Sequence, residues 1–232
     1  MALRRLLGCA VILLATQLMF IALARAELLH FDVDTINSVI KATVTEPLSN
    51  FRDNPDTTGT FRLLSGEIEG DPKNIAATGK VKLIIDATTY NSGSQMRDRN
   101  VLSSTLDTAD YPSIEFDSTH IKDIQIVPQG DAGDATVLGN LALHGVTRPI
   151  SVPLEASLDP DGGFTAWGEF TFDYTDFGIE PPRLFHALPA GKEVKISFRI
   201  RARRPGAPPL PTPTATPTGP TFWDDFVNKV LK

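Results

Sequence analysis

The stretch Leu141–Leu158, LALHGVTRPISVPLEASL, decides how the chain is read. It gathers a histidine, a threonine and an arginine between His144 and Arg148, so it is either a reactive cluster or a turn. The flanks choose between the two. Before it, Val137, Gly139, Leu141 and Leu143 share one parity, with Leu138, Asn140, Ala142 and His144 on the other. After it, Ile150, Val152, Leu154, Ala156 and Leu158 share one parity. Period-two alternation marks a half-buried strand with one wet face. The segment from His144 to Pro149 is therefore a hairpin connection. Gly145 supplies an unusual backbone angle, and Pro149 pins the start of the next strand. His144 falls on the outward parity. A general base needs a nucleophile and an orienting partner within reach, and nothing local supplies them. The cluster turns the chain.

The same alternation recurs on both sides of this hairpin. Val81, Leu83, Ile85 and Ala87 share a face in KVKLIIDATTY, and Ile114 and Phe116 do so in SIEFDS. Phe164, Ala166, Gly168, Phe170, Phe172 and Tyr174 share a face in FTAWGEFTFDY, as do Val194, Ile196, Phe198 and Ile200 in EVKISFRIRA. LHFDV and SVIKATVT alternate less cleanly, and RLLSGEIEG follows them. Turn chemistry separates the runs at Asp71-Pro72, Gly130–Gly133, Asp159–Gly163 and Pro181-Pro182. Only Ser92–Ser104 reads as helical, briefly, with Ser94 as its cap. Roughly eight or nine antiparallel strands with one apolar face predict a sandwich or, at this length, an eight-stranded barrel. Small residues at Ala87, Gly139, Ala156, Ala166 and Gly168 sit among the large inward ones. Either they leave a lumen or they match large neighbours across a filled core, and pattern alone does not choose.

Other reactive constellations are missing from the sequence. His30, His120 and His186 stand apart, with no second ligand at metal spacing. There is no GxSxG, phosphate loop or dinucleotide glycine pattern. Arg97-Asp98-Arg99 is the densest charge cluster of the strand-rich zone, read as a surface ion-pair network or as a ligand contact. The expectation is a non-enzyme with no metal and no cofactor.

The ends carry separate signals. Arg4 and Arg5 precede an apolar run from Leu6 to Leu23, closed by Ala24-Arg25-Ala26. That is the plan of an export signal cleaved after Ala26, the alternative being a retained anchor, so residues 1–26 are assigned to the signal and the mature chain to the periplasm or the exterior. Cys9, the only cysteine, leaves with it, so stability must come from the core. Loss of Arg4, Arg5 and Arg25 takes the formal charge from -6 to -9. An acidic surface argues against nucleic acid and against an anionic membrane as primary partners. Residues 27–204 form the strand-rich domain. Residues 205–220, PGAPPLPTPTATPTGP, read as an extended linker. Residues 221–232, TFWDDFVNKVLK, read as an amphipathic tail helix. Phe222, Trp223, Phe226, Val227, Val230 and Leu231 fall on one half of it, facing a membrane surface or a protein partner.

Three stretches together carry a resemblance. GNLALHGVTRPISVPLEA, MRDRNVLSSTLDTADYPSIEFDS and DFGIEPP with EVKISFRIRA resemble, in order and spacing, the motifs of the YceI-like polyisoprenoid-binding family over Leu28–Arg204. The resemblance implies an antiparallel lipocalin-like barrel whose tunnel holds a long isoprenoid or other apolar lipid, by binding rather than catalysis. Carried over by position, Arg97 and Asp98 match the family's Arg-Asp pair near the barrel mouth. His144, Gly145, Thr147, Arg148 and Pro149 match its hairpin signature. The expected ligand contacts are Val81, Leu83, Ile85, Ile114, Phe116, Leu141, Leu143, Val152, Leu154, Phe170, Phe172 and Phe198, with Arg97 and Arg148 for a polar head. The chain departs from the family pattern at Ala42 and Glu46, where an aromatic and a histidine are common. It departs again at Tyr174-Thr175, where an arginine often precedes Asp-Phe-Gly-Ile. The competing reading is a filled barrel that recruits a partner through its tail.

Overall fold

The computed structural model describes residues 28–45, 56–71, 73–128, 130–180, 183–184, 188–189 and 192–206. The strands are β1 (Leu29–Val33), β2 (Val39–Thr45), β3 (Asp56–Gly70), β4 (Lys80–Asn91), β5 (Ser113–Ile126) and β6 (Ala132–Leu143). They continue with β7 (Val146–Leu158), β8 (Phe164–Asp173), the short pair β9 (Arg183–Leu184) and β10 (Leu188–Pro189), and β11 (Glu193–Arg203). Strands β2 to β8 pair in sequence order, antiparallel throughout. β11 then pairs with both β8 and β2 and closes the sheet into an eight-stranded barrel. This is the architecture that the alternation predicts.

β1 is a broken half of a barrel strand. It pairs antiparallel with β11 at Asp32↔Arg203 and with β3 at Asp32↔Glu67. β2 pairs with the same two strands further along, at Phe198↔Ile40 and Ile40↔Phe61. The two pieces therefore share one slot, interrupted between Val33 and Val39. Asp34 builds the interruption. Its Oδ1 accepts from the N–H groups of Ile36 and Asn37, and its Oδ2 accepts from Asn37 Nδ2 at 2.9 Å. Across the break, Arg201 N–H donates to Ser38 Oγ at 3.0 Å, and Asp34 N–H donates to the Arg201 carbonyl at 2.8 Å.

Asp34 is only 4% exposed. Burial works against its charged form. The Asn37 side-chain and backbone donors, the Arg203 guanidinium at 3.2 Å and the Ile36 N–H outweigh burial and hold the carboxyl below its ordinary value. A depressed folded-state pKa stabilises the fold above the unfolded value, and that contribution is lost as pH falls through the folded one. Asp34→Ala is expected to cost about 3 kcal/mol near neutral pH, since it removes hydrogen bonds to a buried charge. Urea titrations of both proteins should show the gap narrowing below about pH 4.

The β6–β7 connection is tighter than its sequence suggests. Only His144 (φ 52°) and Gly145 (φ 74°) lie between the strands, and both have left-handed backbone. Two such residues make the mirror-image turn whose twist suits a hairpin. Pro149 is thus inside β7, opposite Asn140, and does not start the strand. The His144 ring packs on Tyr111 with centroids 4.7 Å apart.

Among the described residues, three short helical pieces decorate the barrel. α1 (Ile75–Thr78) follows β3 and has no counterpart in the sequence reading. α2 (Gln95–Asn100) is the expected helix, and it runs on as a wider π turn over Val101–Thr105. Ser94 occupies the N-cap position but makes no side-chain cap bond. The Asp98 carboxylate instead accepts from Ser92 N–H at 2.9 Å and Ser92 Oγ at 2.6 Å. A 3-10 turn, Tyr174–Phe177, follows β8. The assigned leader, residues 1–26, and the linker and tail beyond Gly206 lie outside the described residues.

Candidate functional site

The inward faces of the eight strands enclose a cavity of about 300 Å³. Every residue of its wall is Ile, Leu, Val, Phe or Ala. It follows the barrel axis. At one end, called the α1 end, the wall includes Ile75, Ile124 and Phe164. At the other, the α2 end, it includes Ile114, Leu143 and Phe172. All twelve apolar residues chosen from the alternation stand in this wall.

The small inward residues divide into two kinds. A Cβ on Gly139 would lie 2.5 Å from the Phe116 ring, and one on Gly168 would meet the Pro153 carbonyl at 2.4 Å and the tip of Phe198 at 3.0 Å. Those glycines are filled by their neighbours and leave no room. Ala135, Ala156 and Ala166 do border the cavity. The lumen is therefore bordered by Ala135, Ala156 and Ala166, while Ala87 is buried outside its wall and the two glycines make room for Phe116, the Pro153 carbonyl and the tip of Phe198.

Strict alternation misses Ile75 of α1 and Ile121 of β5, and the alternating runs named above stop short of Phe61 and Ile68 of β3 and Ile124 of β5, all in the wall. The reason is local. The β5–β6 register shifts between Ser118 and His120 and again between Lys122 and Gln125, where Asp123 has φ 52°. The β3–β4 register shifts twice as well. Each bulge adds a residue and moves the following side chains to the other face. Leu158, expected inside, is 60% exposed, because it stands past the rim of the barrel.

A family model described as the YceI-like domain matches residues 31–202. The chain belongs to the YceI-like domain family. A UPF0312 protein of Vibrio campbellii is 36% identical over 127 residues, which are 52% of this chain and 64% of that relative. The match thus spans less than two thirds of the relative's length. A UPF0312 protein of Pseudomonas paraeruginosa is 32% identical over 152 residues, covering 63% of this chain and 73% of its own. Among solved structures, Burkholderia cenocepacia BcnA superposes with a TM-score of 0.60 at 23% identity, covering 74% of this chain and 99% of its own. A polyisoprenoid binding domain from Saccharophagus degradans, implicated in plant cell wall breakdown, superposes at 0.56 and 15% identity, covering 76% and 99%. At such identities the two structures speak for the fold.

The two arginines expected to meet a ligand head stand outside the wall of this YceI-like barrel. Arg97 Nη1 donates to Thr57 Oγ1 at 2.6 Å and ties α2 to the start of β3. Arg148 Nε donates to the Asp176 carbonyl at 3.0 Å and ties β7 to the 3-10 turn. Both lie at the α2 end, where they brace connecting segments. That turn closes the end from inside: Phe177 is 1% exposed, and its ring meets Phe172 edge-on at 5.2 Å. Tyr174, in the same turn, is buried with its hydroxyl unpartnered. Burial, and then the neighbouring Asp173 charge, push its pKa up, so it stays a neutral phenol.

Proposed function

We propose that this protein binds a long apolar chain, an isoprenoid or another lipid, inside its barrel, and that it carries, stores or senses that chain after export. The observation that supports this most directly is a wall without polar side chains running along the barrel. Protein interiors pack with few spaces larger than a water molecule. Left as a defect, a cavity of this volume would cost on the order of 7 kcal/mol at about 24 cal/mol per Å³. A bound chain recovers that contact, and affinity grows by about 25 cal/mol per Å² of apolar area removed from water. The polyisoprenoid binding domain of Saccharophagus degradans has the same fold, which adds support for an isoprenoid. The cavity favours this reading over a filled barrel acting only as an interaction module. The expected tail contact with a membrane or partner through residues 221–232 belongs to the same proposal.

Mild purification, native mass spectrometry and lipid extraction test the reading. A mass excess that extracts as prenyl lipid or another long-chain lipid supports it. No co-purifying lipid, together with no uptake of an isoprenoid quinone or a prenyl phosphate, overturns it. Ala156→Leu, which places added methyl groups in the lumen, is expected to keep or raise the melting temperature. It should weaken uptake at least tenfold, or roughly 1.4 kcal/mol, as measured with a fluorescent prenyl probe. Unchanged uptake would place the ligand elsewhere.

A further inference from the structure

The apolar wall does not stop at the α1 end. Leu158 is paired directly with Phe164 across β7 and β8, and Phe164 stands in the wall. Directly opposed residues share a face of the sheet. Leu158 therefore continues the inward row of Leu154 and Ala156 out past the rim, where it is 60% exposed. On β5, Ile126 follows the wall residue Ile124 by one strand repeat and is 64% exposed. The two flank the start of β6, where Ile126 pairs with Gly133. Val127 N–H donates to the Ala132 carbonyl, and Leu158 N–H donates to the Asp131 carbonyl at 2.7 Å. Val127, just after β5, and Leu28, just before β1, are exposed at the same end. The α2 end is different: there buried Phe177, Tyr174 and Leu106 stop the rows.

We infer that the α1 end is the mouth and that its apolar rim docks on the surface of a lipid bilayer. This rests on the lipid-binding reading of the cavity. A chain that is insoluble in water needs an apolar path between its source and the lumen, and the exposed rows provide one without a break. Charges around the rim are of both signs: Lys73, Lys80 and Lys122 stand with Glu69, Asp123 and Asp131. Attraction to an anionic surface is weak in such a mixture, so apolar contact holds the rim in place. The described chain also enters at Leu28 and leaves beyond Arg203 at this end, so both flanking segments start from the bilayer side.

Flotation of the purified full-length mature chain with phosphatidylcholine vesicles tests the inference. Wild type is expected to float, at low and high salt alike. The double variant Ile126→Asp, Leu158→Asp should lose at least tenfold of the floated fraction with an unchanged melting temperature. If it does not fold, Ile126→Ser with Leu158→Ser serves instead. A wild-type chain that stays at the bottom of the gradient, or a double variant that floats as well as wild type, overturns the proposal. So does a self-associating rim, seen as a dimer that the variant abolishes and vesicles do not compete away. So too does flotation that disappears on deleting Thr221–Lys232 and survives the rim substitutions. A separate arm delivers geranylgeraniol from ethanol, without vesicles. Failure of wild type there removes the cavity reading and leaves the flotation result to decide the rim.

Discussion

Leu141→Arg is expected to abolish the native barrel, while Asn140→Arg beside it leaves the melting temperature nearly unchanged. Leu141 is 6% exposed, pairs with Phe116 on β5, and stands in the cavity wall. An arginine there brings a guanidinium into a lumen whose wall offers no acceptor. An unpaired buried charge costs more than a marginally stable domain holds in reserve, so effects above about 5 kcal/mol are in range. Asn140 is exposed on the other face of the same strand, and its substitution stays within about 0.5 kcal/mol. Thermal melts followed by circular dichroism compare the two. Equal effects would mean that β6 is registered one residue away from the observed pairing.

Phe177→Ala is the second large effect. The ring is almost fully buried and packs edge-on against Phe172. Its place depends on a short turn, fixed by Asp173 accepting from Thr175 N–H and Oγ and ended by Gly178 at φ 74°. Removing a buried phenylalanine typically costs about 3–5 kcal/mol through lost transfer energy and the void left behind. Here the void joins the lumen at its closed end. The expected result is a fall in midpoint by urea titration, with faster exchange of a bound prenyl probe. A stable variant with unchanged exchange would show that this end is closed by something other than Phe177.

The sequence made some parts of this site plain and hid others, for physical reasons. Val137–Leu143, Ile150–Ala156 and Val194–Ile200 are regular strands, and each inward residue could be named because the pleat repeats every two residues. Ile121 could not, because the register shift between Ser118 and His120 reverses the parity of β5 before it, and the second shift, at Asp123, restores the original parity only from Ile124 on. Ile75 comes from a single helical turn with no periodicity to detect. The arginines illustrate a different limit. The resemblance put Arg97 near the barrel mouth and named Arg97 and Arg148 for a polar head, but in the fold they grip Thr57 and the Asp176 carbonyl at the α2 end, away from the exposed apolar rim. Glycine in the inward rows suggested space, yet Gly139 and Gly168 are the places where aromatic rings already sit.

The way β11 closes the barrel has a consequence for how the chain reaches this state. Its partners on β2 lie more than 150 residues earlier, as in Ile196↔Ala42 and Phe198↔Ile40. Contacts so remote in sequence put the fold at the slow end of folding rates, because the entropy of a very long loop is lost before the pairing compensates it. Until β11 arrives, β8 and β2 both present unpaired strand edges, which are templates for aggregation. A chain truncated before Glu193 would keep seven barrel strands and still have two sticky borders. Both edges are therefore covered late, when the last of the described strands has been made.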